Sequence, residues 1–291
     1  MIMITTFRAR VANRVALWRL RLVRKSRAIR EGLRYAWPCS VPKAVFAVVS
    51  CERNADSAAL RCLDSVYRQR YRSELVTHIF IDDASDDGTP ELIERWLETH
   101  PGNRVEYIRN SQRLGGTLNT VNGFRKVPAG SIVIELNGDD WLAGSGTLAF
   151  LSRVYADPAV WMTYNTLRYR NGLPALWARA VPPEVIANNA FREMGEWVTS
   201  APHTFRCELF GHIKEETLRD PATGEYWESA DDQAIYLAML EIAGLHARHL
   251  HRVTYVYNFR EISHCFQDSS LSEARALRIR QQPKYQPLDT L

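Results

Sequence analysis

Short apolar runs that alternate with segments of helical periodicity constrain the fold of this chain most strongly. The runs are rich in β-branched residues and are bounded by polar residues, which is typical of buried strands. They are AVFAVVS (44–50), LVTHIFI (75–81), RVEYI (104–108) and SIVIEL (131–136). Strands that alternate with helices predict an α/β fold with a mainly parallel sheet. Such a sheet binds its ligands beyond the carboxyl ends of its strands.

Polar and acidic clusters directly follow three of these predicted strands. They are CERNAD (51–56), DDASDDGT (82–89) and NGDDWL (137–142). Gly88 and Pro90 are incompatible with a long helix through the aspartates, so the second cluster lies in a loop at the carboxyl end of a strand. There, Asp86 and Asp87 either contact a ligand or simply form a turn. A helix is expected to start at Pro90, with Thr89 as its N-cap.

These segments, in this order, resemble the nucleotide-binding half of family 2 glycosyltransferases, which have the Rossmann-like GT-A fold. The resemblance includes CERN, FIDDASDDGT, GGTLNTVNGF and NGDDWL, and it is close over residues 44–165 and looser beyond them. It implies a mainly parallel sheet that is flanked by helices and binds a nucleotide at the carboxyl ends of the strands.

The resemblance implies a nucleotide-sugar pocket next to the first two clusters. Arg53 and Asn54 would line this pocket, and Asp83 would bond the base, because the ring imide of uracil presents an N–H donor. Arg113 either faces the sugar phosphate or is solvated. Asn137 stands where the family usually has an aspartate, and it would accept a bond from a ribose hydroxyl or ligate a metal weakly.

The resemblance also implies a divalent ion, Mn²⁺ or Mg²⁺, at NGDDWL. Asp139 would bind the ion and, through it, the diphosphate, while Asp140 would complete the pair beside the nucleotide sugar. Magnesium suits such a site, since it is commonly held by one or two carboxylates together with substrate phosphates. His264 lies where some related enzymes have a further metal or diphosphate ligand. The asparagine at position 137 removes one negative charge, so weaker metal binding is expected.

The second half of the chain is expected to supply the acceptor contacts and the catalytic base. YWESADDQAIYLAMLEIAG (226–244) has Asp231 and Asp232 at the front of a predicted amphipathic helix that ends near Gly244. This stretch resembles the acidic motif that carries the family's base, which we assign to Asp232, with Asp231 as the alternative. One of the two acids can also cap the helix. SAPHTFRCELF (200–210) resembles the acceptor-side segment of related enzymes, with His203 and Arg206 as candidate contacts, although a lone histidine is more often structural.

The net charge of +4 hides a strongly basic N-terminal segment. Residues 1–35 hold ten Lys and Arg against the single acid Glu31, which leaves a net charge of −5 for residues 36–291. Apolar residues recur there at three- and four-residue spacing, which predicts a basic amphipathic helix. They are Phe7, Val11, Val15, Trp18 and Leu22. Such a helix binds an anionic membrane surface, contacts nucleic acid, or packs on its own domain.

The basic N-terminal segment and the resemblance together predict three parts of the chain. Residues 1–41 are expected to form the basic N-terminal segment. The resemblance implies a GT-A domain over residues 42–262, with a nucleotide-binding half over 42–165 and an acceptor half over 166–262. Residues 263–291 are polar and are expected to form a loosely attached tail.

The composition favours an enzyme of a reducing compartment. The five cysteines are odd in number and show no CxxC spacing, so neither a disulfide framework nor a thiolate zinc site is expected. No segment approaches the roughly 18 consecutive apolar residues that span a bilayer, and the N-terminus lacks the apolar core of a signal peptide. We therefore expect a cytoplasmic protein, either free or peripheral on the cytoplasmic face of a membrane.

The resemblance implies an inverting glycosyltransferase of the hexosyltransferase type (EC 2.4). It would move a sugar from a nucleoside-diphosphate donor to a hydroxyl of a glycan or lipid-linked acceptor in surface glycan synthesis, with no nucleic-acid partner. Two alternatives remain open: a non-catalytic nucleotide-sugar-binding protein of the same fold, and a nucleotidyltransferase. A nucleotidyltransferase usually has a glycine-rich phosphate loop after its first strand, whereas CERNADSA holds no glycine.

Overall fold

A seven-stranded sheet forms the centre of the structure, a computed structural model that describes residues 22–33, 35, 43–259 and 269–291. Its strands are β1 (Phe46–Glu52), β2 (Val76–Asp82), β3 (Val105–Arg109), β4 (Ile132–Glu135), β6 (Met162–Asn165), β8 (Thr204–Arg206) and β9 (Ala247–Leu250), in the spatial order β3-β2-β1-β4-β8-β6-β9. A small sheet has the order β5-β10-β7 and consists of β5 (Trp141–Leu142), β7 (Arg168–Tyr169) and β10 (Tyr255–Tyr257).

The four strands that the sequence predicts form the parallel part of the main sheet. β1 pairs in parallel with both β2 and β4, and β2 pairs in parallel with β3. β8 is antiparallel to both β4 and β6, while β6 and β9 are parallel. The prediction of an α/β fold with a mainly parallel sheet is therefore confirmed.

Helices cover both faces of the main sheet. They are α1 (22–33), α2 (Ser57–Tyr67), α3 (Thr89–Thr99), α4 (Gly116–Arg125), α5 (Thr147–Val154), α6 (Pro183–Ala187), α7 (Cys207–Phe210), α8 (Asp231–Ala243) and α9 (Ser269–Gln281). In β1, Phe46 and Val48 belong to the core shared with α2, α3 and α5, whereas Val49 belongs to the core shared with α4 and α8. This division follows from the two-residue period of a strand, which turns successive side chains to opposite faces.

Helix α3 starts one residue earlier than the sequence predicts, and Thr89 does not cap it. The helix begins at Thr89, whose Oγ1 accepts a hydrogen bond from the N–H of Asp56 at 2.7 Å. Asp87 Oδ1 accepts the N–H of Thr89 at 2.9 Å. The predicted N-cap is wrong because the Thr89 hydroxyl instead joins the loop after β1 to the loop after β2.

Helix α8 has the predicted bounds but not the predicted amphipathic character. It begins at Asp231 and ends at Ala243, directly before Gly244. All ten residues from Ala234 to Ala243 are buried, because β6, α7 and α9 surround the helix. A helix that is enclosed in this way has no solvent face to which polar residues could be assigned.

The C-terminal segment is docked rather than loosely attached. Arg192 and Glu241, both buried, form an ion pair with Nη2 and Oε2 2.8 Å apart. Arg192 Nη1 donates to the carbonyl oxygen of Ile279 at 2.6 Å, and the N–H of Tyr285 donates to Glu241 Oε2 at 3.0 Å. The expectation of a loose tail is therefore wrong for residues 269–291.

Helix α1 is the described part of the predicted basic segment, and it packs on the chain's own domain. Arg24 donates hydrogen bonds to backbone carbonyls of the 175–178 loop at 3.1–3.3 Å. Glu31 accepts the backbone N–H groups of His251 and Arg252 at 3.0 and 2.7 Å. The apolar residues predicted before Leu22 lie outside the described residues. Within the described ranges, no helix is long and apolar enough to cross a membrane.

Glu241→Ala tests whether the C-terminal segment stabilises the domain. The substitution leaves the buried guanidinium of Arg192 without its partner, and we expect the free energy of unfolding to fall by about 3–5 kcal/mol. Glu196→Ala is the matched control, because its ion pair with Arg179 is exposed and should contribute less than about 1 kcal/mol. Urea titrations measure both variants, and equally small losses would contradict the account.

Candidate functional site

The carboxyl ends of β1, β2 and β4 bring three polar loops together at one edge of the sheet. The backbone of β1 joins the other two loops directly. The N–H of Asp83 donates to the Glu52 carbonyl at 2.9 Å, and the N–H of Gly138 donates to the Cys51 carbonyl at 3.3 Å. Because parallel strands end at the same edge, motifs that are far apart in sequence become neighbours.

Asp86 connects the loop after β1 to the loop after β2. Its carboxylate accepts hydrogen bonds from Arg53 Nη2 at 2.7 Å and from Asn54 Nδ2 at 2.8 Å. Asn54 Oδ1 accepts the N–H of Asp86 in return, at 3.1 Å. The hydrogen bond from Asn54 and the positive charge of Arg53 lower the pKa of Asp86. Asp86 therefore does more than turn the chain, since it fixes both predicted pocket residues. Their contact with a nucleotide stays a prediction.

Asp83 anchors the loop that leads into α4. Its buried carboxylate accepts hydrogen bonds from Asn110 Nδ2 at 3.0 Å, the N–H of Leu114 at 2.7 Å and the N–H of Gly115 at 2.9 Å. Burial by itself raises the pKa of Asp83, but these donors outweigh it and the net shift is downward. Arg113 lies in the anchored loop with its side chain exposed. That Asp83 also bonds a base stays a prediction.

Asp140 ties the acidic loop after β4 to the small sheet. Its fully buried carboxylate accepts hydrogen bonds from the Tyr255 hydroxyl and, at 2.6 Å, from the N–H of Asn258. Asn258 Nδ2 also donates to the carbonyl oxygen of Asp139 at 3.1 Å. Burial and the neighbouring charge of Asp139 raise the pKa of Asp140 well above its usual range. In this structure Asp140 supports the loop, and its predicted role beside the nucleotide sugar is untested.

The donor groups at this loop suit an ion that is shared with a substrate. Asp139 is partly exposed, and Asn137 is exposed with its Nδ2 3.4 Å from Asp140 Oδ2. Among the residues that the structure describes, no three His, Cys, Asp or Glu side chains are arranged to hold a metal by themselves. One carboxylate fits the way magnesium is held when phosphate oxygens supply further ligands. His264 lies outside the described residues.

The acid pair of the acceptor half lies against the loop that Asp83 anchors. Asp231 and Asp232 start α8, and a Cβ atom placed on Gly116 would lie 3.1 Å from Asp231 Oδ2. The Thr117 hydroxyl donates to the carbonyl oxygen of Trp227 in the segment before α8. A side chain at position 116 would crowd this contact, so the Asp231 carboxylate would have to move slightly away. The structure thus brings together predicted residues from both halves of the chain.

Three carboxylates gather where the two halves meet. Burial and the charge of Glu135 raise the pKa of Asp231, while burial and the charge of Asp231 raise the pKa of Asp232 to about 7. Glu135 Oε2 lies 3.2 Å from His203 Nδ1, and the buried His203 ring stacks on Tyr236 with ring centroids 3.6 Å apart. His203 therefore helps to position Glu135, whose charge acts on the acid pair.

Three residues of the site were not identified from the sequence: Glu135, Tyr255 and Asn258. Glu135 is the single charged residue of the apolar run SIVIEL. An acid in a predicted buried strand indicates either a functional carboxylate or a carboxylate that is paired with another buried group. The two partners of Asp140 lie 115 and 118 residues away in sequence. No local pattern connects positions at that separation.

The sequence comparison agrees with this geometry. Residues 47–199, slightly more than half of the chain, match the model of the family Glycosyl transferase family 2. The chain belongs to glycosyl transferase family 2. The match spans all three loops at the carboxyl edge of the sheet and ends before the acid pair of α8. No curated protein matches the chain in sequence.

Solved glycosyltransferase structures share the GT-A fold of this family 2 member. S. aureus TarS 1-349 in complex with UDP-GlcNAc has a TM-score of 0.59 at 16% identity and covers 77% of this chain. This chain spans only 61% of that TarS fragment. The mannosyltransferase PcManGT from Pyrobaculum calidifontis, in complex with GDP-Man and Mn²⁺, has a TM-score of 0.58 at 20% identity. The match covers 94% of this chain and 75% of the PcManGT chain. GalNAc-T7 with UDP, GalNAc and Mn²⁺ has a TM-score of 0.54 at 17% identity, and the match covers 82% of this chain and 48% of the GalNAc-T7 chain.

Proposed function

We propose that this family 2 member is an inverting glycosyltransferase of the hexosyltransferase type. It moves a sugar from a nucleoside-diphosphate donor to a hydroxyl of a glycan or lipid-linked acceptor, and we assign it to surface glycan synthesis. The observation that carries the proposal is the approach of Asp231 to Gly116, because it joins an acid pair to the donor-side loops. The nucleotide sugars bound by TarS and PcManGT support the choice of donor.

The donor nucleotide binds at the carboxyl edge, between the loops after β1, β2 and β4. Arg53 and Asn54 line the pocket in orientations that Asp86 fixes before the ligand arrives. Asp83 bonds the base, Arg113 faces the sugar phosphate, and Asn137 contacts the ribose or the phosphates. Such pre-organisation lowers the entropic cost of ordering side chains when a ligand binds.

Asp139 would hold a divalent ion, manganese or magnesium, together with the donor diphosphate. When bound, the ion supplies positive charge that stabilises the departing nucleoside diphosphate. The Mn²⁺ in the structures of PcManGT and GalNAc-T7 supports this assignment. Asp140 keeps the loop in position through Tyr255 and Asn258, and His264 is proposed as a further ligand.

Asp232 acts as the general base, with Asp231 as the alternative. The acceptor hydroxyl attacks the anomeric carbon once, which inverts its configuration, and the carboxylate takes the hydroxyl proton. A base works best when its pKa lies near the working pH, and the pKa of about 7 suits this task. Burial raises this pKa most, and the negative charges of Asp231 and Glu135 add to the shift because they favour proton binding.

We assign the reaction to the cytoplasm. The three cysteines within the described part of the chain, Cys51, Cys62 and Cys207, are free thiols, which suits a reducing compartment.

Asp139→Ala tests the metal assignment. Because this carboxylate is proposed to hold the ion that contacts the diphosphate, the variant should lose turnover and should bind a nucleoside diphosphate more weakly, chiefly when Mn²⁺ is present. Calorimetric titrations with and without Mn²⁺ measure this difference. Asp289→Ala, an exposed aspartate near the C-terminus, is the control. A variant with unchanged metal-dependent binding and full turnover would exclude Asp139 as a ligand.

Asp232→Asn tests the base. The variant should keep its affinity for the donor, while transfer should slow by about 10²-fold or more. The wild-type rate should increase as the pH rises through about 7, since only the deprotonated carboxylate accepts a proton, and this dependence should vanish in the variant. The transfer rate is measured as the release of nucleoside diphosphate from the donor in the presence of an acceptor. The same release without an acceptor measures hydrolysis of the donor by water.

A stability measurement accompanies this kinetic test. Folding raises the pKa of Asp232, so the charged form destabilises the folded protein increasingly as the pH rises from the unfolded value of 3.8 to about 7. Asp232→Asn should therefore stabilise the protein more at pH 8 than at pH 5.

A normal transfer rate in Asp232→Asn, together with a slow rate in Asp231→Asn, would move the role of base to Asp231.

A further inference from the structure

Helix α1 turns its polar side toward the protein and its apolar side away from it. Residues seven apart lie on the same face of an α-helix, and Arg24 and Glu31, which contact the domain, have this spacing. Leu22, Ile29 and Leu33 share the opposite face, where they are 45%, 54% and 69% exposed. This is the reverse of a surface helix that buries its apolar stripe in its own domain.

The polar contacts fix this orientation. The guanidinium of Arg24 donates to three carbonyl oxygens of the 175–178 loop, and both carboxylate oxygens of Glu31 accept backbone N–H groups. Rolling the helix to bury Leu22 or Leu33 would break these hydrogen bonds. The outward apolar face is therefore a built feature of the surface, and exposed apolar faces of this kind mark interaction sites.

Cationic side chains flank the outward face. Lys25 and Arg30 are exposed, and neither has an ion-pair partner among residues 22–33, 35, 43–259 and 269–291. Glu31, the single acid of the helix, is engaged in the backbone contacts. The preceding residues 1–21 add five arginines and no acid to the sequence. This combination of an apolar stripe and positive charge is complementary to an anionic lipid surface.

The loop that Arg24 holds exposes further apolar side chains. Leu176 and Trp177 of this 175–178 loop are 42% and 40% exposed, and Leu173, just before the loop, is 48% exposed. The indole N–H of Trp177 donates to the Tyr169 hydroxyl at 3.1 Å, so the ring is held at the surface. Tryptophan is favoured at membrane interfaces because its ring is apolar and its N–H is polar.

We propose that the outward face of α1, formed by Leu22, Ile29 and Leu33 and flanked by Lys25 and Arg30, docks the protein on a membrane that contains anionic lipid. A second copy of the chain is a poorer partner, because it would bring the same cations together. Glu31 bonds the segment directly after β9, which ends at the same edge of the main sheet as β1, β2 and β4. The proposal does not depend on the transfer reaction.

Vesicle flotation with two matched double variants tests the surface. Leu22→Ser/Leu33→Ser removes two leucines of the outward face, which are 45% and 69% exposed. Leu245→Ser/Leu277→Ser is the control, because it removes two leucines elsewhere that are on average more exposed, at 78% and 58%. With vesicles of phosphatidylglycerol and phosphatidylcholine, the first variant should partition about tenfold more weakly than wild type, and the control should partition as wild type does. Vesicles of phosphatidylcholine alone should bind wild type weakly.

Lys25→Gln/Arg30→Gln tests the electrostatic part. Wild-type binding should weaken with added salt because exposed charges are screened, and this variant should bind more weakly at low salt and depend less on salt. Urea unfolding of all three variants checks that the fold is retained, and transfer to a soluble acceptor should be unchanged in each.

Three results would overturn the proposal. They are a wild-type protein that ignores anionic vesicles at low salt, equal partitioning of the two leucine variants, and wild-type binding that is the same with and without phosphatidylglycerol. Light scattering identifies the main competitor. A dimer that Leu22→Ser/Leu33→Ser dissociates, without vesicle binding by wild type, would make this face a contact between copies.

Discussion

The parallel pairing of β1 with both β2 and β4 is the constraint on which the site depends. It ends three strands at one edge, and β1 carbonyls accept N–H groups of Asp83 and Gly138 from the two neighbouring loops. The polar residues after each strand can then reach one another, as Asp86 does with Arg53 and Asn54. Without this common edge, the motifs would be separate surface loops.

The carboxylates of this structure have two kinds of surroundings, which give them different roles. Asp83, Asp140 and Glu241 are each surrounded by N–H or O–H donors, so their burial fixes loops and the C-terminal segment. Asp231, Asp232 and Glu135 instead lie close to like charges, which raises the pKa values of the two aspartates. Groups with such raised pKa values are concentrated at functional sites. They destabilise the folded protein, so folding alone gives no reason for their presence.

Local sequence patterns predicted the features that depend on interactions between residues close together in the chain. The four parallel strands, the loops after them and the bounds of α8 follow from apolar runs, breakers and the glycine after the helix. The docking of α9 was not predictable, because the polar segment is held by Arg192 and Glu241, whose partners lie far away in sequence. The support of Asp140 by Tyr255 was hidden for the same reason. The inward polar face of α1 was also missed, since periodicity identifies an apolar stripe but not the side that packs.

Calorimetric titration of the wild-type protein with UDP and with GDP, each with and without Mn²⁺, tests the central claim most directly. The claim is that the three loops at the carboxyl edge form one site for a nucleoside diphosphate. The account predicts that at least one of the two nucleotides binds and that Mn²⁺ strengthens its binding, because the diphosphate shares the ion with Asp139. Failure of both nucleotides to bind, with and without the ion, would contradict it.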